Sequence, residues 1–216
     1  MIIDRNLPLP QNTKLDWLEC FAKLLIENYS SLKVSDLTLK DKPDLQNEKF
    51  GIGIEVTSAV DKKSQEMDNL YSLIEYNQVN NREGAVKRIE TLGGKINNGI
   101  LIHPGRYRDL NMLYESLKIK SDKINKGGYK VFNINSLIIF DDNIVRECEY
   151  EGIMSEMLKI FTKYNVVFDY VFIYIFGCQF IEFNFVERKF FSIFPKNITE
   201  LSIKARDMVI NEEEKI

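Results

Sequence analysis

Two carboxylates carry the strongest chemical signal in the chain. Asp44 follows a proline at the head of a short arm, Lys42-Pro43-Asp44-Leu45. Glu55 lies inside an apolar, β-branched run, Gly51-Ile52-Gly53-Ile54-Glu55-Val56-Thr57, which reads as a buried strand. Strand alternation puts Gly53, Glu55 and Thr57 on one face and Ile52, Ile54 and Val56 on the other. An acid within such a run is costly to bury unless a cation, a proton or a donor meets it. Two acids brought together from adjacent arms repel each other, and a divalent metal is the common remedy. The chemistry these residues point to is a metal site on a tight β-hairpin.

The hairpin needs a scaffold, and the periodicity supplies one. Asn12 or Thr13 is placed to cap a helix over Lys14–Tyr29, whose apolar stripe is Trp17, Leu18, Phe21, Leu24 and Leu25. Glu19 falls beside that stripe, either as a third carboxylate for the site or as a solvated acid. Leu37–Leu39 and Phe50–Thr57 form the arms of the hairpin, with the polar stretch 41–49 as their connection or as the end of the first arm. Helices are predicted over Asp61–Tyr76, Arg82–Leu92, Leu110–Lys126, Glu151–Tyr164 and Ile198–Glu213, with Gly93-Gly94 and Gly127-Gly128 as stops. Strands are predicted over Gly99–His103, Val131–Phe140, Val166–Ile175, Gln179–Phe185 and Phe190–Phe194. This order of elements describes a mixed α/β protein with helices flanking a central sheet.

At 216 residues, with neither a low-complexity linker nor an internal repeat, the chain reads as a single domain, 1–216. The longest apolar run, Val166–Phe176, is broken by Asp169 and is too short to span a bilayer. Three dispersed cysteines without a CxxC pair fit reduced thiols and a cytoplasmic protein. A net charge of −3 supplies no bulk basic field, so nucleic-acid binding would need a local groove.

A helix bearing Glu19, then Pro43-Asp44, then a strand bearing Glu55-x-Thr57, then another helix: this order resembles the PD-(D/E)XK nuclease superfamily. The resemblance covers about the first third of the chain by motif and the rest by element order. It implies the restriction-endonuclease-like fold, a three-layer α/β architecture with a central mixed sheet flanked by helices. It also implies Mg2+ (or Mn2+) held by Asp44, Glu55 and the carbonyl of Val56, with Glu19 as a helper. The substrate it implies is a nucleic acid, DNA ahead of RNA, hydrolysed at its phosphodiester bonds. The sequence departs from the motif at one position, where Thr57 replaces the lysine that orients the attacking water. Thr57 could bond the water or phosphate while a lysine from elsewhere supplies the charge; Lys120 and Lys123 are the best donors, followed by Lys62 and Lys63. Two other readings stand beside this one: a catalytically inactive binding module on the same fold, and an unrelated α/β protein with Glu55 as a structural acid.

The remaining signals are weaker. His103 is the single histidine and stands before Pro-Gly, the place of a loop or strand-end residue, which argues against zinc and against a histidine-based nucleophile. No phosphate-cradling glycine loop is present. Lys118, Lys120, Lys123 and Lys126, with Arg106 and Arg108 upstream, make the best nucleic-acid face, although a solvated helix face explains them as well. Gln65 and Glu66 are placed near the edge of the site, and ordinary surface polarity accounts for them equally.

Overall fold

The computed structural model describes residues 9, 13–104 and 110–213; Asn12, Arg106 and Arg108 lie outside them. In chain order the elements are α1 (Trp17–Tyr29), β1 (Thr38–Leu39), β2 (Leu45–Asn47), β3 (Ile52–Ser58), α2 (Lys62–Glu75) and α3 (Arg82–Thr91). They continue with β4 (Lys95–Asn97), β5 (Ile100–Ile102), α4 (Asn111–Asn125), β6 (Ile134–Asp141) and α5 (Tyr150–Phe161), the last entered through a 3-10 turn at Glu147–Glu149. The chain ends with β7 (Tyr170–Ile175), β8 (Gln179–Asn184), β9 (Lys189–Ile193) and α6 (Ile198–Glu213). Two compact units result: residues 13–59 with 110–213, and residues 60–104 with 9.

The larger unit holds a seven-stranded sheet in the order β1-β2-β3-β6-β7-β8-β9. Its centre, β3-β6-β7, is parallel, and the strands on either side pair antiparallel. Parallel strands are covered on both faces, and the central runs are accordingly buried and mostly apolar, with Glu55 of β3 and Asp141 of β6 as buried acids among them. One face carries Leu137, Ile139, Val171, Ile173 and Phe183 against Leu113 and Leu117 of α4 and Ile153 and Met157 of α5. On the other, Phe140 and Tyr174 meet Phe21 of α1, and Phe180 meets Tyr29. The sheet is thus mixed and flanked by helices on both faces, as the element order predicts.

Three expectations need correction. The cap of α1 is Asp16, whose carboxylate accepts from the amides of Leu18 and Glu19, so the helix starts three residues later than its polar entry suggests. Its buried face is Cys20, Phe21, Ala22, Leu25 and Ile26, rotated away from Leu18 and Leu24. The stretch 41–49 is more than a connection, because Leu45–Asn47 is a strand of its own between β1 and β3.

The smaller unit packs α2 on α3 around Met67, Ile74, Ala85 and Ile89. Its β4-β5 hairpin turns through Asn98-Gly99, both at positive φ (50° and 74°), the geometry that favours an Asn-Gly pair. Only the second arm of this hairpin is predicted from the sequence.

Candidate functional site

Register brings the two carboxylates together. Leu45 pairs with Ile54, so the next position outward sets Asp44 opposite Glu55. One step further would place Pro43 opposite Val56, but the Pro43 carbonyl accepts from the Gln46 side chain at 2.9 Å. Asp44 takes over at this point: its Oδ2 accepts the Val56 amide at 2.7 Å. The N–H and C=O of a strand residue point to the same edge. The Val56 carbonyl, expected as a ligand, is therefore directed toward the Asp44 side of β3.

Glu55 is 4% exposed and faces α4. Its Oε1 is met by the Lys120 ammonium at 2.5 Å, in a pair whose side chains are almost fully enclosed. Of the two lysines expected to stand in for the one missing at Thr57, the structure brings Lys120 to the acid and leaves Lys123 exposed. Thr57 is half-buried, two residues further along the same strand. Lys62 and Lys63 open α2 and are exposed.

Electrostatics ties Glu19 to the pair. Burial raises its carboxyl to about 7, helped by the charges of Asp44, Asp16 and Glu55, while Lys120 pulls it back. The Asp44 carboxyl is raised to about 6, first by burial and next by the charge of Glu55, against the Val56 amide and Lys120. Three acids thus sense one another around one lysine, and two of them change protonation close to neutrality. Such perturbed groups, clustered by burial and like charge, are a common mark of functional sites.

The cluster falls short of a finished metal cage. Among the described residues, no group of three or more His, Cys, Asp and Glu side chains stands in position to hold a metal ion. As oxygen donors, Asp44 and Glu55 suit a hard cation such as Mg2+, which is commonly held by one or two carboxylates with water completing the shell. Glu55 Oε2 is buried without a hydrogen-bond partner, so a donor atom remains uncommitted.

The sequence reading missed Tyr129. Its hydroxyl is buried near Glu55, and burial together with that carboxylate raises its pKa well above the ordinary tyrosine value. No spacing rule could have found it, because it stands in the loop between the glycine stop of α4 and β6. The other candidates are engaged elsewhere. Glu66 is bridged by Arg88 at 2.7 and 3.0 Å, and His103 contacts Asp68 at 2.8 Å after the end of β5. Lys118 and Lys126 pair with Glu115 and Asp122 of their own helix, which thins the basic face.

Searches against protein-family models, curated proteins and solved structures found no match to this chain. Among the described residues, no helix is long and apolar enough to cross a membrane. The three cysteines are free, with Cys20 buried and Cys148 exposed.

Proposed function

We propose that the chain is a Mg2+-dependent nuclease of the restriction-endonuclease-like fold, cutting phosphodiester bonds in DNA, with RNA the second substrate class. The observation that carries the reading is the Lys120–Glu55 contact beside Asp44. A lysine from α4 stands at the acid where the PD-(D/E)XK motif would carry one on the strand. Asp44 and Glu55 would hold the metal, with the Val56 carbonyl on the same edge. Bound there, Mg2+ supplies charge neutralisation at the phosphate and a more acidic water.

The protein's own groups then have definite tasks. The Lys120 ammonium orients the attacking water or a phosphate oxygen, and Thr57 offers a hydroxyl on the same face of β3. Glu19, with a carboxyl near 7, can accept a proton from the attacking water at neutral pH. Water adds to phosphorus, the bond to the leaving sugar oxygen breaks, and that oxygen takes up a proton.

A second reading is favoured by one specific observation: Lys120 already neutralises Glu55. On that reading the fold is a non-catalytic binding module, and its nucleic-acid or protein binding is independent of metal. Plasmid and single-stranded DNA and RNA, incubated with the purified chain in Mg2+ or Mn2+, separate the two. Cleavage that disappears in Asp44→Ala and in Glu55→Ala supports the nuclease. Cleavage that persists in the double variant overturns the assignment, and metal-independent binding without cleavage supports the module.

A further inference from the structure

Behind Glu55 lies a small cavity, with about 10 Å3 of space open to the centre of a water molecule, roughly what a single water requires. Pro43, Gly53, Ile124 and Phe168 form apolar parts of its wall, and Glu55 and Tyr129 also line it. Gly53 keeps this wall tight, since a Cβ there would fall 2.5 Å from the Phe132 ring and 2.9 Å from Pro43. Three polar atoms of the lining residues stand out. Glu55 Oε2, the Tyr129 hydroxyl and the Ser136 hydroxyl are all buried without a partner at full hydrogen-bond geometry, and the Tyr129 hydroxyl lies close enough to Glu55 for that carboxylate to act on it.

A buried carboxylate oxygen left unpaired is expensive, whereas a water bridging two polar groups restores most of the lost bonding. We propose that this cavity is a one-water site, and that Tyr129, donating through that water, is a positioning residue for Glu55. Lys120 holds Oε1 from α4, and the Tyr129–water pair holds Oε2 from the loop before β6. The carboxylate is then fixed at both oxygens, as the ligand of a metal site must be to present constant geometry. The part of the proposal that concerns metal rests on the nuclease reading; the water site does not.

Crystal structures of the full chain, as wild type and as Tyr129→Phe, test it. One ordered water within hydrogen-bond distance of both Glu55 Oε2 and Tyr129 Oη is expected in the wild type. In the variant, loss of that water or a second Glu55 rotamer is expected. Mn2+ titration by calorimetry should show affinity falling about tenfold in Tyr129→Phe, with the thermal midpoint recorded beside it as a check on folding. A cavity without water in the wild type overturns the proposal. An unchanged Glu55 conformation and unchanged Mn2+ affinity in the variant overturn the positioning role. If the wild type binds no Mn2+, the nuclease reading falls, and the two crystal structures still decide between a held and an unheld Glu55. If Tyr129→Phe does not fold, the wild-type water alone decides.

Discussion

Replacing Lys120 with methionine is the most informative perturbation, because it strips the cation from an acid that stays buried. At 2.5 Å and an effective dielectric of about 20, the gross attraction of the pair is about 6–7 kcal/mol. Desolvation of both groups offsets much of this, but Glu55 is only 5% exposed in its side chain and cannot return to water when its partner goes. Breaking such a pair from one side costs about 3–5 kcal/mol. The variant has an escape, which is to protonate Glu55. Protonation removes the buried charge, so the deficit is full at high pH and shrinks as pH falls. Lys120→Met should therefore lose about 3–5 kcal/mol at pH 8 and clearly less at pH 5. Urea unfolding followed by circular dichroism at the two pH values reads both numbers. The double variant Lys120→Met/Glu55→Gln should recover most of the pH 8 loss, since it leaves no charge to bury. Equal stability of Lys120→Met and wild type at pH 8, or deficits that simply add in the double variant, would refute the buried pair.

Four further outcomes follow from the same geometry. Mg2+ and Mn2+ bind ionised carboxylates, so apparent affinity should climb between pH 5 and 7. The rise should be about tenfold if only Asp44, near 6, must ionise, and about 500-fold if Glu19, near 7, must ionise too; calorimetry across that window separates one carboxylate from two, and a flat profile removes both. Without metal, the same raised acids make the folded state bind protons more tightly than the unfolded chain does. The thermal midpoint should thus be higher at pH 5 than at pH 8, and the opposite order would contradict the raised values. Gly53→Ala drives a methyl into Phe132 and Pro43 and should cost about 1–3 kcal/mol in urea unfolding. Lys123→Ala, at an exposed position, should stay within about 0.5 kcal/mol of wild type in the same assay.

Most of the fold was legible because each element announces itself locally. The predicted strands Val131–Phe140 and Gln179–Phe185 overlap β6 and β8 because Leu137–Phe140 and the alternating aromatics of the second run carry a buried-strand pattern, and α6 spans the predicted Ile198–Glu213. What escaped depended on partners distant in sequence. The strand Leu45–Asn47 is only three residues long, and Gln46 and Asn47 give it no apolar signature; only its pairing with Ile52–Ile54 makes it a strand. The Asp16 cap escaped because Asn12, Thr13 and Asp16 are all good capping residue types and only packing decides where the turn begins. Lys120 was separable from Lys123, although the shared basic face hid the difference. Leu113, Leu117, Lys120 and Ile124 follow the spacing of a single helical stripe, and the three apolar members are buried. A lysine on that stripe must point toward the sheet. Tyr129 had no such mark.

That placement changes what Thr57 means. A lysine two residues after the acid on a strand shares its face, so the usual motif supplies acid and cation from one element whose geometry alternation sets. Here the cation comes from α4, and its position depends on how Leu113, Leu117 and Ile124 seat that helix on the sheet. The lysine cannot leave the core stripe without unpairing Glu55, nor can Glu55 change without leaving a buried ammonium. On the nuclease reading, Thr57 is released from the charge-balancing task and free to be a small hydroxyl at the half-buried end of β3. The threonine is therefore compatible with an intact centre on one condition, that Lys120 and Glu55 behave as a coupled unit. A coupling energy near zero between them would return Glu55 to the role of an isolated structural acid, and the case for a working site would go with it.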